Sequence, residues 1–288
     1  MTQTLAVIGG SGLYQMPGLT DVDEVRVETP WGDPSDAVIR GRLGGTSLLF
    51  LPRHGRGHRL SPSNINYRAN LWALKKLGAT HVLSVSAVGS LREEIVPGHL
   101  VVVDQFIDRT RQRASTFFDE GVVAHVSVAD PVCPVFARAV AARARGIGAT
   151  VHEGGTYVCI EGPRFSTRAE SHTWRAWNAA VVGMTNVPEA FLARECELPY
   201  ATLALATDYD CWRAHDEVDV TSILAVIRDN VARAQSVVRA LAEDMPDVAA
   251  SPAHGALRHA VMTAPSAITE AQRARYALLL PHLGRDAG

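Results

Sequence analysis

The sequence is short of several features that define other classes of protein. It has two lysines, Lys75 and Lys76, and four cysteines, with no Cys-x-x-Cys pair. So few lysines, with no G-x-x-x-x-G-K-[ST] loop, argue against pyridoxal enzymes and nucleoside triphosphatases. The scattered cysteines indicate neither a disulfide framework nor a zinc site. We expect reduced thiols and no metal.

Long apolar runs and an excess of charge of one sign are also missing. No stretch approaches the roughly 20 apolar residues of a membrane span, and the N-terminus MTQTLAVIGG lacks the features of a secretory signal. The 28 Lys and Arg nearly balance the 30 Asp and Glu, which does not indicate a nucleic-acid or anionic-membrane binder. We therefore expect a cytoplasmic protein with small-molecule partners.

What is present is the composition of a globular protein, with 47% hydrophobic residues in a chain of 288. One large domain is favoured. Short apolar runs alternate with helix-period segments, which predicts an α/β fold around a mixed or parallel sheet. The predicted strands are residues 5–8, 47–51, 81–86, 100–103, 156–160, 180–183 and 201–206. The predicted helices are 64–77, 134–144, 221–242 and 268–280, with a loop at 245–256.

Polar or glycine-rich segments follow the first two predicted strands. In Gly9-Gly10-Ser11-Gly12, backbone N–H groups and the serine hydroxyl can approach an anion, although a plain tight turn explains the sequence as well. It is not a G-x-G-x-x-G dinucleotide motif.

The second segment is PRHGRGH, residues 52–58, in which four side chains can carry positive charge. An arginine at a strand end can grip phosphate with two parallel N–H bonds, so we expect an anion site at Arg53 and His54. Solvated loop residues are the ordinary interpretation of Arg56, His58 and Arg59.

Small residues and carboxylates follow two later strands. SAVGS, residues 86–90, is expected to form a turn that presents N–H groups and hydroxyls at the carboxyl edge of the sheet. Helix capping or ordinary turn chemistry would also explain it. Asp208 and Asp210 follow the strand at 201–206 and are placed to face polar groups of one ligand, such as a purine. Metal binding or a structural turn are the alternatives.

An aromatic residue and a soft apolar residue complete the set. Phe165, beside Ser166 and ahead of a helix, can stack on a base, although a place in the core would suit it equally. Met184 and Thr185 follow the strand at 180–183 and offer an apolar surface for a sugar and another hydroxyl for phosphate.

Taken in order, these motifs resemble the S-methyl-5′-thioadenosine phosphorylases, which belong to the trimeric purine nucleoside phosphorylase group. The segments that carry the likeness are GGSG, RHGRGH, NYRANLWALK, SAVGSLREEIVPG, DQFIDRT, CIEGPRFSTRAES, GMTNVPEA and ATDYDCW. It runs from about residue 4 to residue 242 and returns in LLLP near the C-terminus.

The resemblance implies a single three-layer α/β domain, residues 1–244, with a C-terminal loop and helix, 245–288, packed on it close to a neighbouring subunit's site. It also implies a homotrimer that cleaves methylthioadenosine with inorganic phosphate, giving adenine and 5-methylthioribose-1-phosphate for purine and methionine salvage. Phosphate is then a co-substrate, and no metal or organic cofactor is needed.

The resemblance further assigns residues to parts of this site. The phosphate positions match Ser11, Arg53, His54, Ser86, Ala87 and Thr185. The nucleoside positions match Met184 for the ribose, Val88, Gly89, Phe165, Ser166, Asp208 and Asp210 for the base, and Val220 and Leu224 for the methylthio group, with His125 and Leu279 contributed by a neighbouring subunit.

Asp208 is expected to aid protonation of the purine N7, and Asp210 to accept from a 6-amino group. A phosphorylase of methylthioinosine or of purine nucleosides in general is the nearest alternative. A hydrolytic nucleosidase and a nucleoside-binding protein without activity are the more distant ones.

Overall fold

A computed structural model describes residues 3–10, 12–213 and 220–281, without the side chains of 220–225 and 227. In these residues eleven strands form one mixed sheet. The strands are β1 (Thr4–Gly9), β2 (Thr20–Val25), β3 (Val38–Leu43), β4 (Thr46–Pro52), β5 (His81–Ser90), β6 (Leu100–Val103), β7 (Gln105–Arg109), β8 (Val151–Glu153), β9 (Thr156–Ile160), β10 (Val181–Gly183) and β11 (Tyr200–Asp208). All seven predicted strands are confirmed.

The centre of the sheet is parallel. Strand β1 lies between β4 and β5, and β5 also pairs with β11, all in parallel register. All six residues of β1 are buried, as expected for a strand with helices on both faces. Because parallel strands end at the same edge, the segments that follow β1 and β4 and the ends of β5 and β11 lie together.

Helices cover both faces of the sheet, which confirms the α/β class. They are α1 (Tyr67–Lys76), α2 (Pro134–Gly146), α3 (Arg168–Ala176), α4 (Asn186–Glu195), α5 (Val220–Glu243) and α6 (Glu270–Tyr276). Alternate residues of β1 enter two different cores: Ala6 and Ile8 pack with α1 and α4, whereas Leu5 and Val7 pack with α2 and α5. The result is three layers.

Three predictions about elements need correction. The SAVGS segment is not a turn, because β5 continues through it to Ser90. The helix expected at 64–77 is a short 3₁₀ turn, Pro62–Asn64, followed by α1, whose first turn is capped by the Asn66 side chain. The helix expected at 268–280 is the shorter α6.

The C-terminal segment packs on the same core as α1. Leu257, Ile268 and Leu279 are buried there, and the Tyr276 ring lies against Trp31 and Phe118. Within the described part of the chain, no helix combines the length and apolar character needed to cross a membrane.

From this packing we predict that the C-terminal segment contributes to the free energy of unfolding of the domain. Tyr276 is 1% exposed, and its hydroxyl donates to the Phe117 carbonyl at 2.9 Å. Tyr276→Ala should lower the free energy of unfolding by about 3–5 kcal/mol, measured by urea unfolding. The exposed His259 supplies the control, His259→Ala, which should change little. A separate unfolding transition for the segment would contradict the single domain.

Candidate active site

The first cluster of site residues lies where β1 and β4 end and β10 approaches β5. The Arg53 amide donates to the Gly9 carbonyl at 2.9 Å, which joins the two strand ends. Ala87 is the one residue of β5 that is exposed, so the strand is open to the cleft there. Ser11, expected beside it, lies outside the described residues.

Three hydroxyl groups from different elements converge beside this opening. The Ser86 Oγ lies 3.2 Å from the Thr185 Oγ1 and 3.3 Å from the Tyr157 hydroxyl. Thr185 precedes α4, yet its hydroxyl makes no capping bond and faces Ser86 instead. Burial raises the pKa of Tyr157 to about 12, so its hydroxyl stays protonated at neutral pH. Nothing in the sequence of β9 singled out Tyr157.

The expectation that Arg53 grips phosphate with two parallel N–H bonds needs correction. Its side chain is 3% exposed and pairs with Glu189, which is fully buried, at 2.8 Å. The guanidinium also donates to the Val85 and Ile8 carbonyls, each at 3.0 Å. Among the described residues, Nη1 has the Val85 carbonyl as its single acceptor. One N–H therefore remains for a ligand, and the expected two-bond grip on phosphate is not available in this structure.

His54 stays neutral because of its surroundings. Its Nδ1 lies 2.9 Å from the Leu60 carbonyl, and its ring stacks on His58. Burial lowers its pKa to about 4, and the charge of Arg53 adds to this effect. Since a carbonyl can only accept, Nδ1 carries the proton and Nε2 is left as an acceptor.

The two aspartates lie at the end of β11, beside Gly89 of β5. A Cβ at Gly89 would lie 3.1 Å from the Asp208 Oδ1 and 3.2 Å from the Asp210 Cβ. Asp208 accepts from the Thr207 hydroxyl at 2.6 Å and from the Asp210 amide at 2.7 Å. A side chain larger than glycine at position 89 would therefore push onto both carboxylates.

Burial raises the pKa of both aspartates. In Asp208 the Thr207 hydroxyl and the Asp210 amide offset part of the rise. In Asp210 the nearby Ser171 side chain offsets part of the rise, and the charge of Asp208 adds to it. The Asp210 Oδ2 is buried and has no hydrogen-bond partner among the described residues. A buried carboxylate oxygen without a donor is suited to accept one from a ligand.

The loop that carries Phe165 passes over Met184. A Cβ at Gly162 would lie 2.6 Å from the Met184 Sδ, so glycine lets the loop approach the sulfur. Phe165 is 46% exposed, and a core position is therefore wrong for it. Ser166 accepts from the Trp174 indole through its hydroxyl and from the Cys211 thiol through its carbonyl.

Four other expected residues are placed differently or not described. The side chains of Val220 and Leu224, at the start of α5, lie outside the described residues. Val88 is 2% exposed and packs in the core, so its side chain does not line a cleft. Leu279 is also 2% exposed and packs inside its own chain, where it offers no free surface to another subunit.

His125 is exposed, and its amide bonds to the Ala260 carbonyl. Metal binding by the aspartates was one alternative. In the ranges that the structure describes, no group of three or more His, Cys, Asp or Glu residues is placed to hold a metal ion.

Comparison with a model of a known protein family shows the superfamily to which the chain belongs. The family model of the phosphorylase superfamily matches residues 4–243, which include every element from β1 to α5. The chain therefore belongs to this superfamily.

Individual relatives narrow the assignment. The S-methyl-5′-thioadenosine phosphorylase of Geobacter sulfurreducens is 55% identical, over 97% of this chain and 99% of its own. The enzyme of the same name from Hyperthermus butylicus is 54% identical over 84% of this chain and 88% of its own. The crystal structure of a methylthioadenosine phosphorylase from an antarctic soil metagenomic library matches with a TM-score of 0.92 at 48% identity, covering 97% of this chain and 99% of that one.

The methylthioadenosine phosphorylase of Schistosoma mansoni in complex with adenine matches with a TM-score of 0.80 at 38% identity, over 84% of this chain and 91% of its own. Within the superfamily, the chain thus belongs to the S-methyl-5′-thioadenosine phosphorylase family.

The pKa of His54 predicts a pH dependence of stability. It falls from its ordinary value of 6.5 to about 4 in the folded chain. Between these two pH values the unfolded chain binds more protons than the folded chain. The contribution of His54 to the free energy of unfolding is therefore complete above pH 6.5 and is lost as the pH falls toward 4. Wild-type protein should lose more unfolding free energy than His54→Gln between pH 7 and pH 5, measured in urea. Equal losses in the two proteins would contradict the assigned pKa.

Proposed function

We propose that the chain catalyses phosphorolysis of S-methyl-5′-thioadenosine, releasing adenine and 5-methylthioribose-1-phosphate. One observation carries the proposal: hydroxyl groups suited to an anion and carboxylates suited to a purine lie at the carboxyl edge of one sheet. The hydroxyls of Ser86 and Thr185 lie 3.2 Å apart, and Asp208 pairs in register with Gly89, three residues further along β5 than Ser86.

Phosphate is held on the hydroxyl side of this edge. Ser86 and Thr185 donate to its oxygens, and the exposed Ala87 borders the pocket. The family resemblance would add the Ser11 hydroxyl. The neutral His54, with Nε2 as an acceptor, can take a hydrogen bond from the protonated oxygen of monohydrogen phosphate. Arg53 adds one N–H, while its charge is balanced by that of Glu189. This arrangement keeps the nucleophile close to C1′ of the sugar.

The nucleoside lies across Met184, with Phe165 against the base. As the glycosidic bond breaks, negative charge develops on the purine, and a protonated Asp208 can stabilise it at N7. The raised pKa of Asp208 favours that protonated form. The open Oδ2 of Asp210 suits a 6-amino donor better than a 6-oxo group, since two facing acceptors would both lose water without gaining a bond.

The remainder of the site rests on the family resemblance. Val220 and Leu224 would line an apolar pocket for the methylthio group. A neighbouring subunit of a homotrimer would add the exposed His125. In this proposal phosphate is the co-substrate, no metal or organic cofactor takes part, and the reaction serves cytoplasmic salvage of purine and methionine.

Base release from methylthioadenosine, methylthioinosine and adenosine, each with and without phosphate, tests the proposal. Adenine should appear from methylthioadenosine when phosphate is present and should appear faster than from adenosine. Preference for methylthioinosine would contradict the roles of Asp208 and Asp210. Release that ignores phosphate would indicate a nucleosidase, and binding without release would exclude catalysis.

Asp208→Asn tests the proton donor. The amide keeps the size of the side chain but cannot transfer a proton to N7, so kcat should fall by about 10²–10⁴-fold. The KM for phosphate should stay near the wild-type value, because the hydroxyl cluster is untouched. The exposed Asp229 of α5 provides the matched control, Asp229→Asn, with wild-type kinetics expected. Wild-type turnover in Asp208→Asn would remove this residue from the mechanism.

A further inference from the structure

The ion pair between Arg53 and Glu189 is closed to solvent. Their side chains are 3% and 0% exposed. The Arg53 Nε donates to the Glu189 Oε2 at 2.8 Å, and Nη2 donates to Oε1 at 3.1 Å. Two parallel bonds between planar groups fix the plane of the guanidinium as well as its position. Glu189 therefore determines which way the remaining N–H groups of Arg53 point.

Those N–H groups reach the strand ends that form the anion pocket. Nη1 donates to the Val85 carbonyl at 3.0 Å, and Val85 immediately precedes Ser86. Nη2 donates to the Ile8 carbonyl at 3.0 Å and to the Ser84 hydroxyl at 2.6 Å. The guanidinium thus ties β1, β4 and β5 together beneath the pocket.

The Glu189 carboxylate connects a fourth element, helix α4, to the Arg53 guanidinium. Glu189 lies on α4, and Thr185 immediately precedes that helix. The pair therefore links the helix that follows Thr185 to the strand that carries Ser86. The hydroxyls of Ser86 and Thr185, which these two elements carry, lie 3.2 Å apart.

Further bonds hold the Glu189 carboxylate. The Tyr200 hydroxyl donates to Oε1 at 3.0 Å. The Asn186 amide in turn donates to the Tyr200 oxygen and to the Thr202 hydroxyl, each at 2.7 Å. Replacing the carboxylate would therefore disturb an ordered network rather than a single contact.

We propose that Glu189 is a positioning residue of the phosphate site. It orients Arg53, and through Arg53 it sets the spacing of Ser86 and Thr185 without touching phosphate. This inference rests on the proposed function, since it assigns a role in binding the co-substrate. It accounts for a buried charged pair directly beneath an anion pocket.

Glu189→Gln tests the role. The amide keeps the shape of the side chain but cannot accept on both oxygens, so the two-bond fork is lost. We expect the KM for phosphate to rise by about tenfold, the size of effect that loss of a bond to a charged group produces. The KM for methylthioadenosine should stay within about twofold, because the two carboxylates that read the base lie at the end of β11 and make no contact with Glu189. Thermal stabilisation by inorganic phosphate should weaken in parallel, a readout that does not need turnover.

Glu195→Gln is the matched control. Glu195 is also buried on α4, but it accepts from the Thr116 hydroxyl and the Phe117 amide, each at 2.7 Å. The variant should keep the wild-type KM for phosphate. A rise as large as in Glu189→Gln would show a general effect of disturbing α4 and would overturn the proposal.

Tyr200→Phe serves if Glu189→Gln does not fold. It removes one hydrogen bond to the Glu189 carboxylate, and the KM for phosphate should rise about threefold. A wild-type KM in the folded variants would refute the positioning role, as would tighter phosphate binding. Wild-type protein that releases adenine without phosphate would instead refute the proposed function. The thermal titration still tests Glu189 in that case.

Discussion

The site depends on the buried pairing of the Arg53 guanidinium with the Glu189 carboxylate. Removing two charges from water costs several kcal/mol per ion, so a pair of this kind is seldom a gain in stability over apolar packing. The effect of the pair here is to fix the positions of the elements around it. The fork holds three parallel strand ends and one helix at a fixed spacing. Ser86 lies on one of those strands, and Thr185 immediately precedes that helix.

This pairing also changes how the anion site works. An exposed arginine would have dominated the pocket with a full positive charge and two free N–H groups. With Glu189 beside it, the pair is neutral overall, and in the proposed site phosphate is recognised mainly by hydroxyls, by backbone and by an uncharged His54. Such a site holds its ligand by directed hydrogen bonds. Weak net charge is compatible with an enzyme that must release a sugar phosphate formed in the same pocket.

The sequence predicted the architecture well where burial is periodic. The central strands are continuous apolar runs, and β6 and β9 were placed at their observed bounds. Strand β2 was missed because five of its six residues are exposed, which leaves no apolar pattern. Helix α4 was missed because nearly all of it is buried, so it lacks a polar face. Helix α3, the helix expected after Phe165, begins with a capping box of Thr167 and Glu170.

The sequence indicated which residues lie at the candidate site better than it indicated what those residues contact. Residue type and position near the end of a predicted strand pointed to Ser86, Thr185 and Asp208, and the structure places all three at one edge of the sheet. Their roles in binding stay predictions. Neither criterion shows which hydrogen-bond partners a side chain already has within the protein. Arg53 has the residue type of a phosphate ligand, and only its distance of 2.8 Å to a buried glutamate shows that most of its hydrogen-bonding capacity is already used within the protein. Glu189 lies in NVPEAFLARE, a helix in which nearly every residue is buried. A buried carboxylate needs a cation, and here the pocket arginine is that cation.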